Sequence, residues 1–202
     1  HYSEVNFIVP DYAYSAGTIF CMSGDSIFMD YFSVLGPIDP QVQNKEGKWV
    51  AALGYLDKVN EYIEKAKLGT LTNVEFAILK DFDLAELRSF EQARDLTIDL
   101  LKKWLVKYKF KNWTKHSNGT DVTIEEKKER AAKIAEHLSD NNDWRSHGRP
   151  INIEALKELK LKIEDYSENI ELRIKIRDYY ETMSDYVRLK GFPIFIHDRI
   201  FL

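Results

Sequence analysis

The stretch from Val5 to Met29 constrains the fold more than any other. Val5-Asn6-Phe7-Ile8-Val9 is a short β-rich apolar run halted by Pro10, the pattern of a buried strand. Ser15 to Ser23 carries small and apolar residues at helical spacing and stops at Gly24, a common helix terminator. Ser26-Ile27-Phe28-Met29 predicts a second strand. Strand, helix and strand in about 30 residues is the size of a crossover unit in a parallel sheet. The chain therefore opens inside a sheet.

Beyond this unit the pattern turns helical. Gly36-Pro37 and Asp39-Pro40 force turn or extended backbone, and Val42 to Gly47 is polar and reads as a loop. From Trp49 onward, Trp49, Leu53, Leu56, Val59, Ile63 and Ala66 fall on one helical face that ends near Gly69. A second helix is predicted from Leu84 to Tyr108, with Leu87, Phe90, Ile98, Leu101, Trp104 and Tyr108 along one stripe. Lys102, Lys103, Lys107, Lys109 and Lys111 cluster at its C-terminal end and read as a solvated face complementing the helix dipole, the alternative being a patch for an anionic partner.

Asn112 to Thr123 is rich in turn residues and marks a loop or lobe boundary. Thr123-Ile124-Glu125-Glu126 resembles a capping box that opens a helix to about Leu138. Further helical patterns run from Asn152 to Leu161 and from Glu168 to Lys190. Phe192 to Ile196 is β-like, with Pro193 demoting it to an edge strand or an extended tail.

Bulk properties exclude several function classes. At 202 residues with 44% hydrophobic content, the chain is the size of one domain with room for a helical lobe. Lys and Arg total 29 against 33 Asp and Glu, a net charge of −4, so no overall positive field draws it to nucleic acid. The same balance, with loosely spaced Arg145 and Arg149, argues against a helix-turn-helix reading of Ile124 to Leu161.

The single cysteine, Cys21, lies in an apolar run, reads as core packing and fits a reducing, cytoplasmic setting. The longest apolar stretches fall short of the roughly 20 residues of a membrane span. The chain starts at His1, directly before a strand-like segment, which suggests a fragment or processed form with room for an upstream anchor or leader. Asn112-Trp113-Thr114 and Asn118-Gly119-Thr120 match glycosylation acceptors and, with no sign of secretion, are read as chance.

Ser15 is the best candidate nucleophile. A serine between a strand and a helix N-terminus sits where free N–H groups and the positive helix end can stabilise an oxyanion. Ala16 and Gly17 let a substrate backbone approach, and the Ala16 N–H is the natural oxyanion donor. The competing reading is a plain N-cap, since serine is among the best capping residues. A serine nucleophile needs a base, and His1, His116, His137, His147 and His197 are available. His147 lies in a loop-like Asp-Trp-Arg-Ser-His-Gly-Arg stretch with freedom to reach across a cleft. No spacing of His and Cys supports a metal site. Neither Gly-x-Gly-x-x-Gly nor a P-loop is present, so no cofactor is expected.

Val9-Pro10, Ala13-Tyr14-Ser15-Ala16-Gly17-Thr18, Asp25-Ser26-Ile27-Phe28-Met29-Asp30 and Leu35-Gly36-Pro37-Ile38-Asp39-Pro40-Gln41 resemble, in order and spacing, the serine dehydrogenase proteinase family. Its members are relatives of Clp-type proteases and signal peptide peptidase. Trp144-Arg145-Ser146-His147-Gly148-Arg149 looks like the family's downstream tryptophan and histidine-glycine segment. The resemblance implies an α/β fold with a ClpP/crotonase-like parallel sheet, partial at the N-terminus, and a large helical remainder. Residues 1–70 would form the serine-hydrolase segment, and 71–202 the rest of the same domain or an appended lobe.

The resemblance further implies a serine peptidase with a peptide or protein substrate and an oligomeric assembly. The family's Ser, Asp, His order is met by Ser15, Asp39 and His147; Asp39 could equally be a turn-capping residue before Pro40. In signal peptide peptidase relatives a downstream lysine can replace histidine, and Lys58 is nearest to that spacing, as a buried base or an ordinary surface lysine. The alternative is a catalytically silent scaffold whose helical remainder, Asn73 to Lys190, mediates self-association or partner docking. Clp-type sites take a second oxyanion donor from a glycine-rich turn, and none precedes Ser15 in this chain.

Overall fold

The expected crossover forms. In the computed structural model, which describes residues 2–140, 144 and 148–198, β1 (Asn6–Val9) and β3 (Ser26–Met29) pair in parallel from Asn6–Ser26 to Val9–Met29. α1 (Ala16–Met22) connects them. Ile27 and Met29 alternate into the core from β3, as a strand buried on one face requires. A third parallel strand, β7 (Ile163–Asp165), joins β3 through the Ile27–Ile163 pairing. Its three residues, two of them charged, carry no strand signal in the sequence.

A second small sheet lies where the candidate nucleophile is expected. β2 (Tyr12–Ala13) pairs in parallel with β4 (Val34–Leu35). Leu35 also exchanges backbone hydrogen bonds with Ile151 at 3.0 and 2.9 Å.

The segment after Pro40 departs from expectation. Residues 41–51 form an antiparallel hairpin of β5 (Gln41–Gln43) and β6 (Trp49–Ala51), and α2 (Ala52–Lys67) begins only then. Trp49 pairs with Gln43 and is 67% exposed, so its helical spacing is coincidental. α3 (Asn73–Lys80) opens with a capping box between Thr72 and Glu75. α4 (Leu84–Trp104) runs into a π-helical turn, Leu105–Lys109. α5 (Ile124–Leu138) carries the expected capping box of Thr123 and Glu126. α6 (Ile153–Glu158) is shorter than its predicted span, and α7 (Ile170–Lys190) ends at Gly191, whose φ of 65° suits glycine. Phe192 to Ile196 forms no strand.

α4 joins two apolar clusters. Phe90, in its N-terminal half, packs with Ala52 and Leu56 of α2, while Leu101 and Leu105 enter the cluster that holds Val9, Ile27, Met29, Leu35 and Ile38. α5 contributes Ala131, Ile134, Ala135 and Leu138 to that larger cluster. Among the described residues no helix is long and apolar enough to cross a membrane.

The lysine cluster is not uniformly solvated. Lys109 is buried against the core, and burial lowers its ammonium to about 8 despite the charge attraction of Cys21 and Asp25. Burial raises the nearby Cys21 thiol to about 11. A lysine whose folded value lies below its unfolded value releases its proton first in the folded state. The unfolded chain then binds more protons, so folding stability rises with pH above 8, until the unfolded lysine also titrates. Cys21 acts in the opposite sense as the unfolded thiol titrates around 9.0, and offsets a smaller part of that gain below pH 9. Urea unfolding should therefore show a gain on the order of 1 kcal/mol between pH 8 and 9, absent in Lys109→Met.

Candidate active site

Ser15 occupies the first position before α1 with φ 52° and ψ −112°. An L-residue rarely holds that conformation, at a cost of order 1–3 kcal/mol unless its surroundings impose it. The surroundings do. Gly17 N–H donates to the Tyr14 carbonyl at 2.8 Å and Ile19 N–H to the Ser15 carbonyl at 3.2 Å, fixing both peptide planes. The Ser15 side chain accepts no capping bond, so the plain N-cap reading fails. This is a strained turn between strand and helix with a serine hydroxyl at its apex that makes no hydrogen bond among the described residues, the geometry that presents a nucleophile. The neighbouring Ala16 is exposed, and its N–H lies in the first helical turn, where the helix offers no acceptor.

Thr18 ties this turn to the segment from Leu35 to Ile38. Its fully buried hydroxyl accepts from Gly36 N–H at 3.0 Å, and its one proton is shared between the Ala13 and Gly36 carbonyls, each at 2.8 Å. Gly36 has to be glycine, because a Cβ there would lie 2.2 Å from the Tyr14 ring. Tyr14, Gly36 and Thr18 thus form one unit around the serine. In the sequence Gly36 reads only as a turn residue and Tyr14 and Thr18 carry no signal beyond the resemblance, because their partners lie about 20 residues apart.

A turn after β3 supplies further rigidity. The Asp30 carboxylate accepts N–H bonds from Phe32 and Ser33 at 2.9 and 3.2 Å, and the Ser33 hydroxyl bonds the Val9 carbonyl. Asp30 and Ser33 are both buried, so they lock the ends of β1 and β3 together before the chain enters β4.

The other predicted residues are placed as follows. Asp39 is 3% exposed, and its Oδ1 accepts the Leu53 N–H at 3.2 Å, so it caps α2 from outside the helix. Asp39→Ala should cost about 1–2 kcal/mol in urea unfolding, with Asp39→Asn recovering most of it. Lys58 stands at the surface of α2 in a 2.8 Å ion pair with Glu61, whose hydrogen bond holds its ammonium above the usual lysine range. It is not the buried, acidified lysine that a base requires.

His147 lies outside the described residues. Its described flanks converge on the site segment: Ile38 N–H donates to the Leu138 carbonyl at 2.8 Å, and Ile151 pairs with Leu35. Trp144 is buried with its ring N–H on the His137 carbonyl at 2.7 Å. Among the described residues no group of His, Cys, Asp and Glu could hold a metal ion.

A model of ClpP-like SDH-type serine proteinases matches residues 1–125. The chain belongs to that family. The match takes in the strained serine, its threonine tie and the Gly36 to Gln41 run. An uncharacterized protein of Methanocaldococcus jannaschii is 30% identical over 164 residues, covering 81% of this chain and 45% of the relative. A second uncharacterized protein of that organism is 28% identical over 163 residues, covering 81% of this chain and 43% of the relative. The chain thus spans about half the length of these curated relatives. No solved structure matches it. The family carries an α/β fold, in keeping with the parallel strands and the helices around them.

Proposed function

We propose that this chain is a serine peptidase of the wider ClpP/crotonase-like fold, with residues 1–70 as its hydrolase segment and 71–202 as a helical remainder. Ser15 Oγ attacks the carbonyl carbon of a peptide bond while the base takes the hydroxyl proton, and the Ala16 N–H holds the oxyanion. Collapse of the tetrahedral species expels the amine, which receives that proton, and leaves an acyl group on Ser15. Water, deprotonated by the same base, then releases the acid. His147 is the base of this reading and Asp39 its orienting acid; Lys58 could serve only by leaving Glu61.

The observation that carries the proposal is the backbone of Ser15, held at φ 52° with no capping bond. The family match supports peptide or protein as the substrate class. The lone, unpaired Cys21 fits the cytoplasm. Incubation of the full chain with a denatured protein, read by mass spectrometry of the fragments, tests it. Cleavage by wild type and none by Ser15→Ala is the expected result; cleavage by both, or by neither, counts against catalysis at Ser15.

A second reading, a scaffold acting by self-association, is favoured by one feature. α7 buries no residue and leaves Ile174, Tyr179 and Leu189 exposed. Light scattering separates the readings together with the cleavage assay: an oligomer in which Ser15→Ala changes nothing would be the scaffold.

A further inference from the structure

Lys109 is 9% exposed, and its ammonium makes no hydrogen bond among the described residues. A buried ammonium has three donors to satisfy, and leaving them unmet is costly. The π-helical turn creates this situation. Its Phe110 N–H bonds the Leu105 carbonyl five residues back, and the extra residue turns both Lys109 and Phe110 inward. Asp25 attracts the charge but is already engaged, by Lys111 at 2.5 Å and by the Val5 N–H at 2.9 Å.

Lys109 forms part of the wall of a cavity of about 500 Å³. Arg130, Lys160 and Lys162 line the same space, against the carboxylates of Asp25 and Glu4. Cations outnumber acids there in a chain whose net charge is −4. Arg130 lies over the Trp113 ring at 5.7 Å, which places an aromatic surface beside the charges. Lys160 is held at φ 56°, the left-handed conformation that closes α6 with the Leu161 N–H on the Leu156 carbonyl at 3.1 Å, and glycine would be at ease there. Ser15 is not among the lining residues. The space is larger than one oxyanion needs and falls within the range of small-molecule sites.

We propose that this cavity binds a small phosphorylated molecule, its phosphoryl group accepting hydrogen bonds from Lys109 and its body lying against Trp113. A phosphoryl group fits better than a carboxylate, because its added charge and oxygens answer several cations at once. The site is independent of catalysis at Ser15 and stands or falls separately from it.

The test is calorimetric titration of the full chain with inorganic phosphate, pyrophosphate and adenosine monophosphate at constant ionic strength, with sodium acetate in parallel. Saturable binding of the phosphates, tighter for the nucleotide than for inorganic phosphate and absent for acetate, is expected. Lys109→Met should weaken it by about tenfold or more, equivalent to about 1.4 kcal/mol. Lys160→Gly relieves backbone strain, so it should fold at least as stably as wild type and still bind several-fold more weakly. Absence of saturable binding by all three phosphates, equal binding of acetate, or wild-type affinity in Lys160→Gly would each overturn the proposal.

Discussion

Ser15→Gly is expected to make the protein more stable and catalytically dead. At φ 52° the serine pays a backbone penalty that glycine escapes. Part of that gain is returned, because glycine gives the unfolded chain more freedom. A net stabilisation of about 1 kcal/mol should appear in urea unfolding. Ser15→Ala keeps the strain and loses no capping bond, so its stability should stay within about 0.5 kcal/mol of wild type. Both variants lose the hydroxyl, and hydrolysis should fall by at least about 10³-fold in each. A serine with no catalytic role would leave hydrolysis unchanged in both variants.

Thr18→Val should be among the most damaging single substitutions, although it changes almost no volume. It removes the acceptor of the Gly36 N–H and the donor shared by the Ala13 and Gly36 carbonyls; the bonds to Gly36 are buried and the one to Ala13 is half-buried. The buried Gly36 groups are left without a partner, at about 1–3 kcal/mol for each unsatisfied group. A total of about 2–4 kcal/mol is expected, measurable as a lower urea midpoint with an unchanged m-value. Thr18→Ser keeps the hydroxyl and should recover most of this. Since the same bonds hold Gly36 against the Ser15 turn, Thr18→Val should also lower hydrolysis beyond the loss of folded protein. Thr18 is in this sense a positioning residue.

The crossover of β1, α1 and β3 was legible because local signals agreed there: a β-rich run, a proline stop, small residues at helical spacing and a second β-rich run. The capping box at Thr123 was legible for the same reason, its partners being three residues apart. Readings failed where the deciding partner lies far along the chain. Ile163 to Asp165 becomes a strand only because β3 offers an open edge, and Trp49 leaves its helical register because Gln43 pairs with it. Phe192 to Ile196 has the composition of a strand but no neighbour to pair with among the described residues.

At the candidate site, sequence located Ser15 and its small neighbours but not the dihedral angles that set it apart from an ordinary cap. The peptide planes on either side of the serine are fixed by the bonds of Gly17 to Tyr14 and of Ile19 to Ser15, which only the folded turn reveals. Asp39 reads as an acid from its turn, and its hydrogen bond to the Leu53 N–H depends on α2 beginning at Ala52 rather than at Trp49. Lysine burial was equally hidden. A run of lysines at a helix end reads as solvated, and only the π-helical turn brings Lys109 inside.

Everything proposed for this site rests on the strained serine being a reactive nucleophile. Treating the full chain with a fluorophosphonate and mapping the adduct by peptide mass spectrometry tests it most directly. One phosphonylated residue, Ser15, is expected in the native protein, with labelling lost on unfolding in urea and absent from Ser15→Ala and Ser15→Gly. A natively folded chain that takes up no label, or carries it on a different residue with Ser15 unmodified, would contradict it.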